Sequence, residues 1–369
     1  MNENPVQFSE IDTSNGHVIG VATLTRGKSL NSLLLETVHL LQETFSRWMQ
    51  DENVVCMVLQ SDSDRAFCAG ADIQALYHEI KAADGKTSAY ADTFFTDEYK
   101  LDFDLHQCDK PIIAWGHNIV MGGGLGLLGG CSHRVGTKET RIAMPEITIG
   151  LFPDAGGTWL LSQMRSGLGY FMGLTGCQIT IGDALSLGIV NHALDNGVRE
   201  SVIEQLQELP WAEETTQNHA LVDETLTGFA LESADLPQQL LKFEADIESL
   251  IHESLQAPDF LSAFTEGLKA LPKDDWLSVA TNTFSSGSPI TAGIFIEQMR
   301  RAEGMTLAET FQMELIIACQ CVRHPDFPEG VRALLIDKDK QPHWQPAPSD
   351  VIQQHFEPPW QDAHPLADL

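Results

Sequence analysis

An α/β fold with a helical C-terminal region is the class this sequence predicts, and three observations predict it. Up to about residue 195, short β-rich apolar runs alternate with stretches of helical periodicity. From Glu200 onward the strand patterns largely vanish while the helical ones continue. Between them lies Ile112 to Gly157, where a glycine triplet and two carboxylates, Glu146 and Asp154, interrupt a largely apolar sequence.

The elements follow in order. Gly16 to Thr25 alternates loosely and reads as a strand, with Arg26-Gly27-Lys28 as the loop after it. Asn31 or Ser32 is placed to cap a helix whose apolar residues Leu34, Val38, Leu41, Phe45 and Trp48 recur at helical spacing. Val54 to Leu59 is a continuous apolar run, the pattern of a buried strand. Ser61 to Ile73 is a polar turn that passes through Ala66 to Ala71 into a helix starting near Asp72. A helix is expected over residues 88–108 and a third buried strand over Pro111 to Trp115. Extended pieces follow at Arg134 to Gly136 and Arg141 to Ala143, then a helix over Gly157 to Leu174. Another helix runs from Thr180 to Gly188, before extended Ile189 to His192.

Residues 200–285 read as helical, broken at Pro210, Pro237, Pro258 and Pro272. Residues 289–324 read as two amphipathic helices separated by Gly304 to Thr306, and the tail beyond Asp339, rich in Pro and Trp, as surface wrapping. This gives a core over 1–199, an acidic helical insertion over 200–285 and a C-terminal helical region over 286–369.

Composition excludes several function classes. A formal charge of −30 over 369 residues repels phosphate backbones, so neither nucleic acid nor an anionic membrane is expected as a partner. Between Glu200 and Glu266 fifteen Asp and Glu face Lys242 alone, which reads as a solvated helical face. No apolar run is long enough to span a bilayer, and Met1 to Glu10 lacks the pattern of a signal peptide. The seven cysteines are odd in number, scattered and mostly set among apolar neighbours, as reduced core residues of a cytoplasmic protein would be.

The glycine triplet Gly122-Gly123-Gly124 lets a backbone turn sharply, approach a ligand closely and offer free N–H groups at the start of a helix. Such a place attracts an anion or a developing oxyanion. Acids in an apolar frame are costly, which marks Glu146 and Asp154 for a task. Small residues at Ala66 to Ala71, between a strand and a helix, either expose another backbone N–H or serve close packing.

These residues resemble the crotonase (enoyl-CoA hydratase/isomerase) superfamily. Leu24 to Leu33, Ala66 to Ile73, the glycine turn and Met144 to Gly157 occur in that family's order and spacing. Within it, AMPEITIGLFPDAGG, GDALSLGIVNH, Ser288-Pro289 and DFPEGVRALLIDKDKQPHW are similar to the subgroup that hydrolyses 3-hydroxyisobutyryl-CoA in valine breakdown. The resemblance implies a spiral of repeated ββα units with a C-terminal helical region, one that often mediates assembly in the family, and leaves open whether this chain is a homo-oligomer. It places two oxyanion donors at the N–H groups of Ala71 and Gly123, each worth about 3 to 4 kcal/mol of activation free energy. Chemically, Glu146 can be either the nucleophile that forms a mixed anhydride or the base that activates water, and the resemblance favours the covalent route. Asp154 then contacts the substrate hydroxyl or positions Glu146 and water. Substrate contacts are implied at Arg26, Lys28, Leu30, Ala69, Gly70, Asp72, Ile73, Gly122 and Gly126. Lys338 and Lys340 are further candidates for the phosphates of coenzyme A, against an equal expectation of ordinary surface lysines.

One departure decides the reading. Where two-glutamate hydratases carry their first acid, this chain has Gly126, so hydrolysis is expected rather than hydration. An enoyl-CoA hydratase or isomerase using Glu146 with Asp154 is the alternative enzyme, and an acyl-CoA-binding protein without turnover the alternative class. No metal or separate cofactor is expected: His117 and His133 lack ligand spacing, and Cys319 and Cys321 share a helix whose role is packing. The glycines do not form a dinucleotide fingerprint, and no serine sits in a nucleophile elbow.

Overall fold

The computed structural model describes residues 4–83 and 88–369. It opens with strands β1 (Val6–Asp12) and β2 (Val18–Leu24), paired antiparallel, and helix α1 (Leu35–Gln50). Then comes a repeated unit. Strands β3 (Val54–Ser61) and β4 (Ala66–Cys68) lead into α2 (Ile73–Ala82) and α3 (Ala89–His106). Strands β5 (Ile112–Gly116) and β6 (Ile119–Met121) lead into α4 (Gly123–Gly129), and β7 (His133–Thr137) and β8 (Arg141–Ala143) into a 3-10 turn over Glu146–Thr148. Helices α5 (Gly157–Ser162) and α6 (Leu168–Thr175), strand β9 (Ile179–Thr180), α7 (Ile181–Ser186) and β10 (His192–Leu194) follow.

From there the described elements are helical: α8 (Arg199–Gln207), α9 (Thr215–Gly228), α10 (Glu244–Gln256), α11 (Phe260–Leu268), α12 (Asp275–Ser286), α13 (Pro289–Arg301), α14 (Leu307–Cys321), α15 (Asp326–Val331) and α16 (Ser349–Gln354), with short 3-10 and π turns between some of them. No described helix is long and apolar enough to cross a membrane.

By contacts the chain divides into two compact units, Met1–Ala71 with Leu101–Ile142 and Ile179–Gln238, and Asp72–Lys100 with Ala143–Gln178 and Gln239–Leu369. In the first unit the leading strand of each repeat enters a six-stranded sheet of order β1-β2-β3-β5-β7-β10, and the short second strand enters a sheet of order β4-β6-β8-β9. Beyond β1, the six-stranded sheet is parallel. This is the spiral of ββα units that the resemblance implied. Val55, Val58, Ile113, Trp115 and Val135 of that sheet share a core with Val202, Leu206, Trp211, Val222 and Leu226. The apolar sides of α8 and α9 are therefore buried, while Glu200, Glu204, Glu208 and Glu224 face solvent. The second unit is built of helices and turns.

Several boundaries differ from the sequence expectation for identifiable reasons. Strand β1 lies where no element was expected, partly within Met1 to Glu10, whose first three residues are outside the described residues. Its exposed outer face mixes polar and apolar residues and hides the period. Neither Asn31 nor Ser32 caps α1, whose N-cap is Leu34. Asn31 is buried with φ +55°, and its amide donates to Ser61 Oγ (2.6 Å) and to the carbonyls of Ala66 (3.1 Å) and Phe67 (3.0 Å). Fixing a neighbouring turn uses the side chain that local sequence assigned to a cap. The helix expected over Gly157 to Leu174 is two helices, broken by left-handed Ser166 (φ +56°) and Gly167 (φ +69°). Ile189 to His192 gives way to the later strand His192–Leu194. The tail is not wholly irregular, since it includes α16.

The expected breaks at Pro210, Pro237, Pro258 and Pro272 all fall between helices, and Gly304 to Thr306 separates α13 from α14. Ser288 caps α13 through its hydroxyl to Thr291 N–H (3.1 Å), with Pro289 as the first helical residue. Thr306 and Glu309 form the capping box of α14.

Candidate active site

The first unit holds an arrangement of backbone donors. Gly70 adopts φ +89° and Gly122 φ +51°, left-handed conformations that glycine takes without a side-chain penalty. The two turns touch: a Cβ added to Gly70 would lie 3.0 Å from the carbonyl oxygen of Met121 and 3.1 Å from the amide nitrogen of Gly123. One added to Gly124 would lie 2.3 Å from the carbonyl oxygen of Cys68. Only bare backbone fits, and the segment Cys68 to Ala71 is thereby laid against the start of α4. Gly123 is the first residue of that helix, so geometry leaves its N–H without an intrahelical acceptor. Among the described residues, neither the Ala71 nor the Gly123 amide donates to a protein acceptor. Ala69 donates to the Leu30 carbonyl (3.0 Å) and Leu33 to that of Gly70 (2.8 Å), which ties the loop after β2 to the same turn.

The second unit holds the carboxylates. Glu146 opens its 3-10 turn, and its carbonyl accepts from the amides of Ile149 (3.0 Å) and Leu151 (3.2 Å). The turn is seated by close neighbours: a Cβ on Gly176 would lie 3.0 Å from Pro145 Cα, and one on Gly287 2.6 Å from Ile147. Asp154 stands on the next turn, followed by left-handed Ala155 (φ +52°) and Gly156 (φ +79°). Both carboxylates are buried, each 4% exposed. Oε2 of Glu146 has no hydrogen-bond partner among the described residues. A carboxylate oxygen kept from both water and protein donors is costly unless something else engages it.

Burial, and then the neighbouring charge of Asp154, hold the Glu146 carboxyl well above the usual carboxylate range. Burial lifts Asp154 to about 6, against the pull of a hydrogen bond from the Tyr99 hydroxyl to Oδ2 (2.6 Å). Two buried acids in mutual range do not both ionise readily, so ionisation of one holds the proton on the other and favours the singly protonated pair. It can therefore supply one base and one acid together.

Tyr99, Glu314 and Gln298 of this neighbourhood were not among the residues expected from sequence. A signal exists for Glu314, an acid between Met313 and the apolar run Leu315 to Cys319 on an amphipathic helix. Tyr99 carries none beyond its aromatic surroundings.

The remaining expected residues serve local structure in part. Gly126 is buried within α4 and its amide donates to the Gly122 carbonyl (3.2 Å). Asp72 caps α2, accepting from Ala75 N–H (3.2 Å), with Ile73 as its first residue. Arg26 is turned onto its own loop, donating to the carbonyl and hydroxyl oxygens of Ser32, while Lys28 is exposed. Lys338 and Lys340 are exposed, both at positive φ, in a turn where Arg332 binds Asp337 and Asp339 at 2.7 Å each. Cys319 and Cys321 are buried in α14, and no group of three or more His, Cys, Asp or Glu fit to hold a metal ion occurs among the described residues.

Paired strands, a two-turn amide cradle and a buried acid pair define a crotonase-fold protein, and the chain belongs to the enoyl-CoA hydratase/isomerase family, whose model matches residues 19–357. It is a crotonase-family acyl-CoA enzyme. Among its relatives, the mitochondrial 3-hydroxyisobutyryl-CoA hydrolase of Gallus gallus is 32% identical over 342 residues, 91% of this chain and 84% of that one. The Homo sapiens protein of the same name is 34% identical over 336 residues, 89% and 82% of the two chains. Among solved structures, a carnitinyl-CoA dehydratase from Mycobacterium thermoresistibile matches with a TM-score of 0.82 and 28% identity over 97% of each chain. An enoyl-CoA hydratase from Rhodobacter sphaeroides 2.4.1 matches with 0.80 and 26%, over 95% of this chain and 97% of that one.

Proposed function

We propose that this chain is a thioester hydrolase acting on a short 3-hydroxyacyl-CoA, with 3-hydroxyisobutyryl-CoA as the substrate and valine breakdown as the setting. The observation that carries the reading is the buried Glu146, one oxygen of which no protein donor touches, beside Asp154 and in a chain that has Gly126 where two-glutamate hydratases have an acid. The names of the relatives at 32% and 34% identity support it. Coenzyme A enters only as part of the substrate.

In this mechanism the reacting form is the one in which the proton of the pair has moved from Glu146 to Asp154, and the freed Glu146 carboxylate attacks the thioester carbonyl carbon. The carbonyl π electrons move onto oxygen, and the family resemblance assigns the donors to that oxyanion to the Ala71 and Gly123 amides. Collapse breaks the C–S bond, and the departing thiolate takes the proton from Asp154. Water then adds to the acyl carbon of the mixed anhydride and gives a proton back to Asp154. Cleavage of the C–O bond releases the free acid and restores Glu146.

The test is thiol release across a panel of acyl-CoA thioesters by the wild type and Glu146→Gln. The wild type should turn over 3-hydroxyisobutyryl-CoA, and the variant should lose about a thousandfold or more while still binding it. Acid quench during turnover should leave an acyl mass on the peptide carrying Glu146. Near-normal turnover by the variant removes Glu146 from the mechanism, and wild-type inactivity on the whole panel removes the hydrolase reading.

A further inference from the structure

The turn that carries Asp154 is gripped by two side chains from distant helices. Glu314 of α14 accepts from the amide of Gly156 through Oε2 (2.8 Å) and from the amide of Thr158 through Oε1 (2.9 Å). Gln298 of α13 donates through Nε2 to the carbonyl of Pro153 (2.8 Å) and to the hydroxyl of Thr158. One residue thus holds the backbone immediately before Asp154, and the other the backbone two residues after it. Glu314, Gln298 and Thr158 are fully buried.

The held segment is one that does not hold itself. Ala155 at φ +52° is a non-glycine residue in a sparsely populated region, and such a conformation persists only where surroundings over-determine it. Helix α5 begins at Gly157 with no capping side chain of its own. Glu314 supplies the missing acceptors from another helix, at the end of α5 where the first amides have no intrahelical partner. The same face of α14 also sets the packing: a Cβ on Gly156 would lie 3.3 Å from the Phe311 ring, and that ring is 6.0 Å from the ring of Tyr99, whose hydroxyl binds Asp154.

A fully buried acid is expensive, and a polar amide at 0% exposure is nearly so. Both spend their hydrogen bonds on the six-residue stretch that ends at Thr158 and contains Asp154. We propose that Glu314 and Gln298 are positioning residues for Asp154, through which the C-terminal helices α13 and α14 fix where its carboxylate stands. The inference rests on the reading that Asp154 serves the reaction. It makes these helices part of the catalytic apparatus rather than a cover.

A cycle of variants tests it: Glu314→Gln, Gln298→Leu and Asp154→Asn, with each of the first two also combined with the third. Glu314→Gln places an amide N–H against a backbone N–H, and Gln298→Leu keeps the volume while removing the donor. Each should lower kcat for thiol release at least tenfold with KM within about threefold, and in the Asp154→Asn background each should lower it less than threefold further. Equal losses in both backgrounds overturn the proposal, since a general structural defect does not depend on Asp154.

A second readout needs no turnover. With the tyrosine ring labelled with carbon-13 next to the hydroxyl, the Tyr99 signal, assigned by its loss in Tyr99→Phe, reports its bond to Asp154. In Glu314→Gln and Gln298→Leu that signal should move toward its position in Asp154→Asn, and an unmoved signal overturns the proposal. If no thioester is cleaved by the wild type, the hydrolase reading fails while this second readout still decides the positioning role. Should one variant fail to fold, the other carries both measurements.

Discussion

Tyr99 donates its hydroxyl hydrogen to Oδ2 of Asp154 across 2.6 Å, with both residues buried. The bond favours the charged form of Asp154 and opposes the burial that lifts it to about 6. Removing it in Tyr99→Phe leaves burial unopposed, so the Asp154 carboxyl should rise further. The limb of the pH–rate profile that follows Asp154 should move to higher pH. Turnover at neutral pH should change by about tenfold, the scale of one hydrogen bond to a charged group. A profile that superposes on the wild type would show that Asp154 does not titrate in the reaction.

Gly124→Ala is expected to separate the two turns that form the amide cradle. The new methyl would stand 2.3 Å from the Cys68 carbonyl oxygen, so backbone must shift. Overpacking of this kind costs about 1 to 3 kcal/mol of stability, and loss of one donor's alignment about a hundredfold in kcat. Chemical denaturation and thiol release measure the two effects separately.

Stability should fall as pH rises across the range that spans Asp154 and Glu314. Burial lifts Glu314 to about 8, despite the two amides that donate to it, and Asp154 to about 6, whereas in the unfolded chain both titrate near 4. The folded chain keeps protons that the unfolded chain releases, so this contribution is fully present below about pH 4 and is lost as pH climbs through 6 and then 8. Melting curves of the wild type and Glu314→Gln from about pH 5 to 8 should converge as pH rises. Buried His133, lowered to about 4 first by burial, gives the opposite slope below about 6.5, but it is common to both proteins and cancels in the difference.

Hydration of crotonyl-CoA should be negligible, because addition of water by two carboxylates needs an acid where Gly126 lies buried. Absorbance of the conjugated thioester follows this directly. Appreciable hydration would return the chain to the hydratase reading.

Much of the scaffold was legible because its causes are local. Val54 to Leu59 and Pro111 to Trp115 are apolar enough to be buried strands in any context, and four prolines mark helix breaks by lacking an N–H. Asn31 was misread because capping propensity is local, whereas its three acceptors arrive from Ser61, Ala66 and Phe67. The break at Ser166 and Gly167 was hidden because Gly157 to Leu174 keeps an apolar character on both sides of it.

What the sequence by itself determined is the chemistry available: which glycines permit backbone to approach backbone, that two acids sit in apolar surroundings, and that Gly126 carries none. These follow from residue type and order alone. Tertiary structure decided what each group meets. It brought Gly70 against Gly123, gave Asp154 the Tyr99 hydroxyl, and placed Glu314, 160 positions further along the chain than Asp154, at the turn beside it. Hydrogen bonds between residues so far apart leave no period or propensity in the sequence, because their geometry exists only once the intervening helices have packed.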